Sequence, residues 1–179
     1  MERRGRIDGE LARSLIKQLA EALDGTGLQR EIVIAGGSLL AWHDLLEATQ
    51  DIDCLTRLDD DIRKLVAEIG DSRELPRGWL NDHARPFTPV TLERSECDVL
   101  FEAASLRLLG IPFRLLFLMK LDRGSAHDVA DMTVLWPLVR QHFTSPEHVV
   151  REFYEAFPWS MHDEYLASFV AQIISKAER

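Results

Sequence analysis

Leucines recur every fourth position at Leu11, Leu15, Leu19 and Leu23, behind Asp8 and ahead of Gly25 and Gly27. That spacing predicts an amphipathic helix, capped by Asp8 and ended by the glycines. Glu31 to Ala35 is a short β-branched run that stops at Gly36-Gly37, the pattern of a buried strand entering a turn. Ser38 then opens a helix expected to reach about Leu46, and a second strand is expected over Asp51 to Thr56. Alternation along that strand places Asp51 and Asp53 on one face and Ile52 and Cys54 on the other. Asp59 to Ile69 carries acids in its first turn and Ile62, Leu65, Val66 and Ile69 at helical spacing, so it predicts a helix returning over the sheet.

From Asp71 to Pro89 the periodicity weakens. Pro76, Gly78, Asn81, Pro86 and Pro89 predict a loop-rich connection, anchored to the core by Trp79 and Leu80. Two further strands are expected, one within Glu96 to Phe101 and one near Leu106 to Leu109, ended by Gly110 and Pro112. Beyond them the chain reads as helical: Phe113 to Leu121, broken by Gly124; Ala126 to His142, with a kink expected at Pro137; and a capped start at Ser145-Pro146-Glu147. Ser160 with Asp163 has the spacing of a capping box for a last helix. The result is an α/β (α+β) chain with a small mixed sheet flanked by helices. Its expected organisation is a core over residues 1–121 and a helical C-terminal extension over residues 122–179, packed as a single compact unit.

Composition narrows the function classes. With 179 residues, 46% hydrophobic and 28% charged, the chain is an ordinary globular protein with room for one well-buried core. No apolar stretch approaches a membrane span, since even Leu115 to Met119 is flanked by Arg114 and Lys120. No apolar signal region follows the N-terminal Met1-Glu2-Arg3-Arg4-Gly5-Arg6, so the expected location is the cytoplasm. Cys54 and Cys97 form no CxxC pair and read as reduced thiols, and none of the six histidines sits in an HExxH arrangement. A net charge of −9, from 21 basic and 30 acidic residues, argues against bulk electrostatic gripping of nucleic acid. Arg3, Arg4 and Arg6 offer at most a local contact to RNA, and the four tryptophans are too scattered to form a stacking strip.

Two motifs carry candidate chemistry. A strand, a Gly36-Gly37-Ser38 turn and a helix start place backbone N–H groups and a hydroxyl where an anion can bind. The same turn is also an ordinary way to pass from strand to helix. Asp51 and Asp53 project from one strand face and repel each other unless a divalent cation sits between them. A solvated acidic edge would look the same. Taken together, an aspartate pair beside a phosphate turn is the minimum apparatus for phosphoryl or nucleotidyl transfer. Lys120 follows Leu115 to Met119 and either snorkels from a buried helix or points its ammonium into a cleft. Arg123, Asp128 and Asp131 follow it. Asp128 and Asp131, at i, i+3 spacing, either salt-bridge Lys120 and Arg123 or present Asp128 to a substrate. His127 reads as a surface residue.

These residues together resemble a known superfamily. Gly36-Gly37-Ser38, an intervening helix, Thr49-Gln50-Asp51-Ile52-Asp53, then Leu118-Met119-Lys120-Leu121-Asp122-Arg123 with Asp128-Val129-Ala130-Asp131 look like the DNA polymerase β-like nucleotidyltransferases. The resemblance extends over roughly residues 31–135 and leans toward the AbiEii-type, minimal nucleotidyltransferases of bacterial toxin-antitoxin systems. It implies that Gly36, Gly37 and Ser38 bind a nucleoside triphosphate, that Asp51 and Asp53 hold Mg2+ or Mn2+, and that Lys120 and Arg123 meet the phosphates. Asp128 would complete the site, giving Asp51, Asp53, Lys120 and Asp128 as the catalytic set. It further implies an acceptor hydroxyl on RNA or tRNA, or on a protein, and a cognate antitoxin chain as partner. The third carboxylate that many members carry on a later strand has two candidates, Asp98 and Glu102. Were that acid missing, the alternative is a catalytically degenerate nucleotide- or protein-binding module of the same fold, using the apolar C-terminal helices around Phe153, Phe157, Phe169 and Ile173.

Overall fold

A computed structural model describes residues 5–27 and 29–179; Arg3 and Arg4 of the basic N-terminal cluster lie outside the described residues. The chain divides into two compact units, one of residues 1–87 with 97–111 and one of residues 88–96 with 112–179. Each is built from the elements that the hydrophobic pattern marks.

In the first unit, the Asp8 carboxylate accepts the Leu11 N–H and starts α1 (Gly9–Asp24), whose buried face includes Ala12, Leu15, Ile16, Leu19 and Leu23. β1 (Arg30–Ile34) is followed by α2 (Gly36–Trp42), and α3 (Asp60–Ser72) is capped by Asp59. A parallel pairing of β1 with β5 (Leu106–Gly110), and an antiparallel pairing of β5 with β4 (Asp98–Glu102), give a mixed sheet of order β1-β5-β4. On the other side of β1, Ile34 forms an isolated antiparallel bridge with Cys54. That bridge lies just after β2 (Ile52–Asp53), which pairs in parallel with β3 (Leu80–Asn81).

Three departures from the sequence pattern have clear causes. The strand expected over residues 51–56 is cut to two residues because its backbone is shared between two neighbours. Ile52 and Cys54 donate to the Trp79 and Asn81 carbonyls, while Leu55 donates to Val33 and Asp53 accepts from Ala35. Beyond that point the Val33 N–H turns to the Thr56 hydroxyl, so a side chain replaces the ladder. α2 stops at Trp42 and not near Leu46, because Asp44 adopts a left-handed φ of 58°. β3, hidden in the expected loop, is only two residues long; fully buried Trp79 seats it, with the indole N–H donating to the Val66 carbonyl of α3.

The second unit is helical. α4 (Phe113–Arg123) is buried on most sides and ends at Gly124, in the left-handed region at φ 59°. α5 (Ala126–Val139) contains Pro137 and continues into a short 3-10 turn, Arg140–His142. α6 (Pro146–Ala156) is capped by the Ser145 hydroxyl, which accepts the His148 N–H. α7 (Leu166–Ala177) closes the chain. The capping box expected from Ser160 and Asp163 does not form there. The Ser160 hydroxyl donates instead to Asp122, Asp163 accepts from the Tyr165 N–H, and α7 starts on Tyr165 with no side-chain cap. A capping box does form at α5, between Ser125 and Asp128. Phe117, Trp136 and Phe143 pack together at the centre, with ring centroids 5.8 to 6.2 Å apart. Among the described residues no helix is long and apolar enough to cross a membrane. The fold is therefore the mixed α+β class expected from the sequence, with seven helices among the described residues and no closed barrel.

Asp59 joins two elements: one carboxylate oxygen accepts the Ile62 N–H at 2.9 Å and the other accepts the Arg30 Nε of β1 at 2.6 Å. Asp59→Ala removes both, and the expected loss is about 1–2 kcal/mol of unfolding free energy, the range for an N-cap. Urea denaturation checks it through a lowered midpoint with an unchanged slope.

Candidate functional site

The turn after β1 is shaped by what lies against it. Gly36 has a φ of 69°, and a Cβ placed there would sit 3.1 Å from Asp53 Oδ2. A Cβ on Gly37 would sit 3.3 Å from the Thr49 hydroxyl oxygen. Glycine is thus required at position 36 twice, by its backbone conformation and by the carboxylate beside it. Ser38 is buried inside the first turn of α2, where its hydroxyl donates to the Ala35 carbonyl at 2.7 Å.

Asp51 and Asp53 are half-buried and flank Ile52, which is 0% exposed. This is the alternation expected of a strand, and it puts both carboxylates on the side away from the core. Asn81, from a stretch whose pattern predicts a loop, joins them. Asn81 is the register partner of Asp53 across β2 and β3, and its amide nitrogen donates to Asp51 Oδ2 at 2.9 Å. A polar residue directly after the buried Trp79-Leu80 pair was the available signal.

Neither candidate for a third carboxylate stands near this pair. Asp98 and Glu102 are exposed on β4, and Glu102 is ion-paired with Arg107. Cys54, Ile34, Gly110 and Asp98 lie at one level across four neighbouring strand segments. Three steps of about 4.8 Å separate β2 from β4 by roughly 14 Å, beyond the reach of ligands that hold one ion at about 2–2.6 Å. Among the described residues no three His, Cys, Asp or Glu side chains group closely enough to hold a metal ion. The local donor set is two carboxylates, hard oxygen ligands, because the Asn81 amide oxygen is engaged by the His83 N–H. This chemistry suits Mg2+ or Mn2+, since Mg2+ keeps several waters and is commonly held by one or two carboxylates plus substrate phosphates.

Within the second unit, Lys120, Arg123, Asp128 and Asp131 form one network. The Lys120 ammonium is buried and meets Asp131 Oδ2 at 2.5 Å and Asp128 Oδ1 at 3.3 Å. Arg123 binds both oxygens of Asp128, at 2.8 and 2.6 Å. The Ser125 hydroxyl donates to the same carboxylate, and the Ser125 N–H adds a bond at 3.1 Å. Two cations and two anions leave the network neutral, which is what burial demands. Burial pushes the Asp128 carboxyl up, but the Arg123 and Ser125 hydrogen bonds and the Lys120 charge outweigh it, so its pKa falls well below the usual carboxylate range. At Cys54 burial prevails and pushes the thiol up to about 12, so it stays protonated. His127 is exposed, as the sequence suggested.

Two outcomes follow from these contacts. Gly36→Ala should displace the Asp53 carboxylate and lower stability by about 1–2 kcal/mol, the strain of a left-handed non-glycine residue; thermal melting measures it. Asp128 has its folded pKa depressed, so its stabilisation is fully present above the ordinary value near pH 4 and is lost as pH falls toward the lower folded value. The gap between wild type and Asp128→Asn, about 3 kcal/mol at pH 7, should therefore narrow below about pH 4, as read from urea midpoints across the pH range.

The model of one protein family, described as a nucleotidyltransferase of unknown function (DUF6036), matches residues 12–136. No curated protein and no solved structure matches the chain.

Proposed function

The chain belongs to this family of nucleotidyltransferases, and on that premise we propose that it moves a nucleoside monophosphate from a nucleoside triphosphate to an acceptor hydroxyl in a reaction dependent on Mg2+ or Mn2+. The observation that supports the metal-dependent reading is that Asp51 and Asp53 flank buried Ile52, with the Asp53 carboxylate against Gly36 at the start of α2. In the reaction the acceptor oxygen bonds to the α-phosphorus, the bond from that phosphorus to the bridging oxygen breaks, pyrophosphate leaves, and the hydroxyl proton passes to a base or to water. A divalent cation held by the two aspartates would supply charge neutralisation at the phosphates. Asp51 and Asp53 would hold that cation, and the Gly36-Gly37 turn, which lies against the Asp53 carboxylate, would receive the triphosphate beside it.

The roles the resemblance assigns to Lys120 and Arg123 toward phosphates, and to Asp128 toward the acceptor, belong to the same proposal. So do an RNA, tRNA or protein acceptor, a toxin-antitoxin setting with a cognate antitoxin chain, and action in the cytoplasm. Two observations favour the second reading, a module that binds without turnover: neither Asp98 nor Glu102 joins the aspartate pair, and the Ser38 hydroxyl is engaged by the Ala35 carbonyl.

Incubation with each labelled nucleoside triphosphate, Mg2+ and total cellular RNA or protein extract separates the readings. Metal-dependent incorporation that falls by about 10³-fold or more in Asp53→Asn, the order expected when a main transition-state charge contact is lost, supports the enzyme. Triphosphate binding without incorporation supports the module. Lys120→Ala should lower the melting temperature in either case, because it leaves half-buried Asp131 without its cation; its phosphate role is read separately, from triphosphate affinity measured well below that temperature.

A further inference from the structure

We infer that Asn81 is the positioning residue of the metal site, holding the Asp51 carboxylate in the orientation that lets it share a cation with Asp53; the inference rests on the metal-binding reading above. Neither the spacing of the motif nor the family match singles this residue out. It is 5% exposed, and each polar atom of its side chain has a main-chain or carboxylate partner. Its amide nitrogen donates to Asp51 Oδ2 at 2.9 Å and, more weakly, to the Gly78 carbonyl at 3.4 Å, while its amide oxygen accepts the His83 N–H at 3.1 Å.

These partners fix the amide in one sense. A flipped amide would set its oxygen against the Asp51 carboxylate and the Gly78 carbonyl, and its N–H groups against the His83 N–H, three repulsive contacts in place of three favourable ones. The donor facing Asp51 is therefore built in. The backbone fixes its position as well: Cys54 donates to the Asn81 carbonyl at 2.8 Å, and Asn81 is in register with Asp53. Paired residues of parallel strands point to the same face, so Asp53, Asp51 and Asn81 share one side of the two-stranded β2-β3 pair.

The consequence for binding is specific. An aspartate at the end of a short strand can rotate away from its like-charged neighbour, and such rotation lowers repulsion while disassembling the ligand pair. A neutral donor on Oδ2 resists that rotation without adding a cation that would compete with the metal. Oδ1 of Asp51 remains available to the ion. Hydrogen-bonded partners of metal-binding carboxylates contribute about 10- to 100-fold in metal affinity.

The test is Mn2+ binding to the full chain without nucleotide, followed by electron paramagnetic resonance, on wild type, Asp53→Asn, Asn81→Leu and Asn81→Asp. Asn81→Leu keeps the volume and removes the donor; its Mn2+ dissociation constant should rise about tenfold or more, at a temperature where circular dichroism shows it folded. In Asn81→Asp the new charge faces Asp51, so the metal-free melting temperature should fall and Mn2+ should raise it by several degrees more than in wild type. Wild-type affinity in Asn81→Leu, or an equal Mn2+ shift in Asn81→Asp and wild type, overturns the positioning role while leaving the metal site standing. Absence of Mn2+ binding in wild type, or binding unaffected by Asp53→Asn, overturns the metal site and the role of Asn81 with it.

Discussion

The first unit depends on a pair of main-chain hydrogen bonds where β1 ends. Ala35 donates to the Asp53 carbonyl at 3.0 Å, and Leu55 donates to Val33 at 2.8 Å. These bonds bring the chain after α2 back against the residue where α2 begins, so the Asp53 carboxylate meets the turn by backbone geometry and not by side-chain reach. Position 36 must then be glycine, since the carboxylate occupies the space of a Cβ. The return path is pinned as well. Ile7 and Thr49 exchange two main-chain bonds, at 2.7 and 2.8 Å, and the Arg6 guanidinium donates to the Ala48 carbonyl. The segment ahead of α1 thereby holds the loop between α2 and β2, and places the Thr49 hydroxyl beside Gly37.

What the sequence made legible follows from the range of the interactions involved. Helices α1, α3, α4 and α6 were visible because their caps and apolar spacing are local, as at Asp8, Asp59, Gly124 and Ser145. The alternation of Asp51 and Asp53 about Ile52 was visible for the same reason. Asn81 was not, because its importance comes from pairing with a strand nearly thirty positions earlier, across the loop-like stretch of Pro76 and Gly78. The Ser160–Asp163 spacing misled for a related reason. A capping pattern needs a helix to begin there, and the hydroxyl found a better acceptor in Asp122, thirty-eight positions away. The Asp128 network sat between these extremes. Its acids stand at helical spacing in the sequence, but the part played by Ser125, which converts the start of α5 into a capping box, emerges only with the fold.

Lys120 illustrates how burial decides between readings of one residue. A lysine after a long apolar run is expected either to snorkel or to face a cleft, with salt bridges to Asp128 and Asp131 as a further alternative, and its ammonium closes on those two carboxylates. The reason is electrostatic. α4 is buried on most sides, so the ammonium must meet anions nearby or lose its charge. Gly124 turns the chain sharply enough that the first two turns of α5 present two carboxylates to it. With Arg123 sharing Asp128, the charges cancel, and no carboxylate in the network is left without a cation.

The strength of that network is set by residues outside the matched family region. The match ends at residue 136, inside α5, whereas α6 and α7 lie beyond it. Yet α4 packs against α6 and α5 against α7, through buried Val149, Phe153, Val170 and Ile173. A salt bridge is worth little in water and far more where water is excluded. The apolar faces of α6 and α7, packed on α4 and α5, therefore contribute to the low-dielectric surroundings in which Lys120, Asp128 and Asp131 interact. Loosening those helices would admit water, weaken every pair at once and raise the Asp128 pKa toward its ordinary range. The charged cluster and the hydrophobic extension are in this sense one structure, with the charge chemistry in the matched region and part of the apolar packing around it supplied by the C-terminal helices.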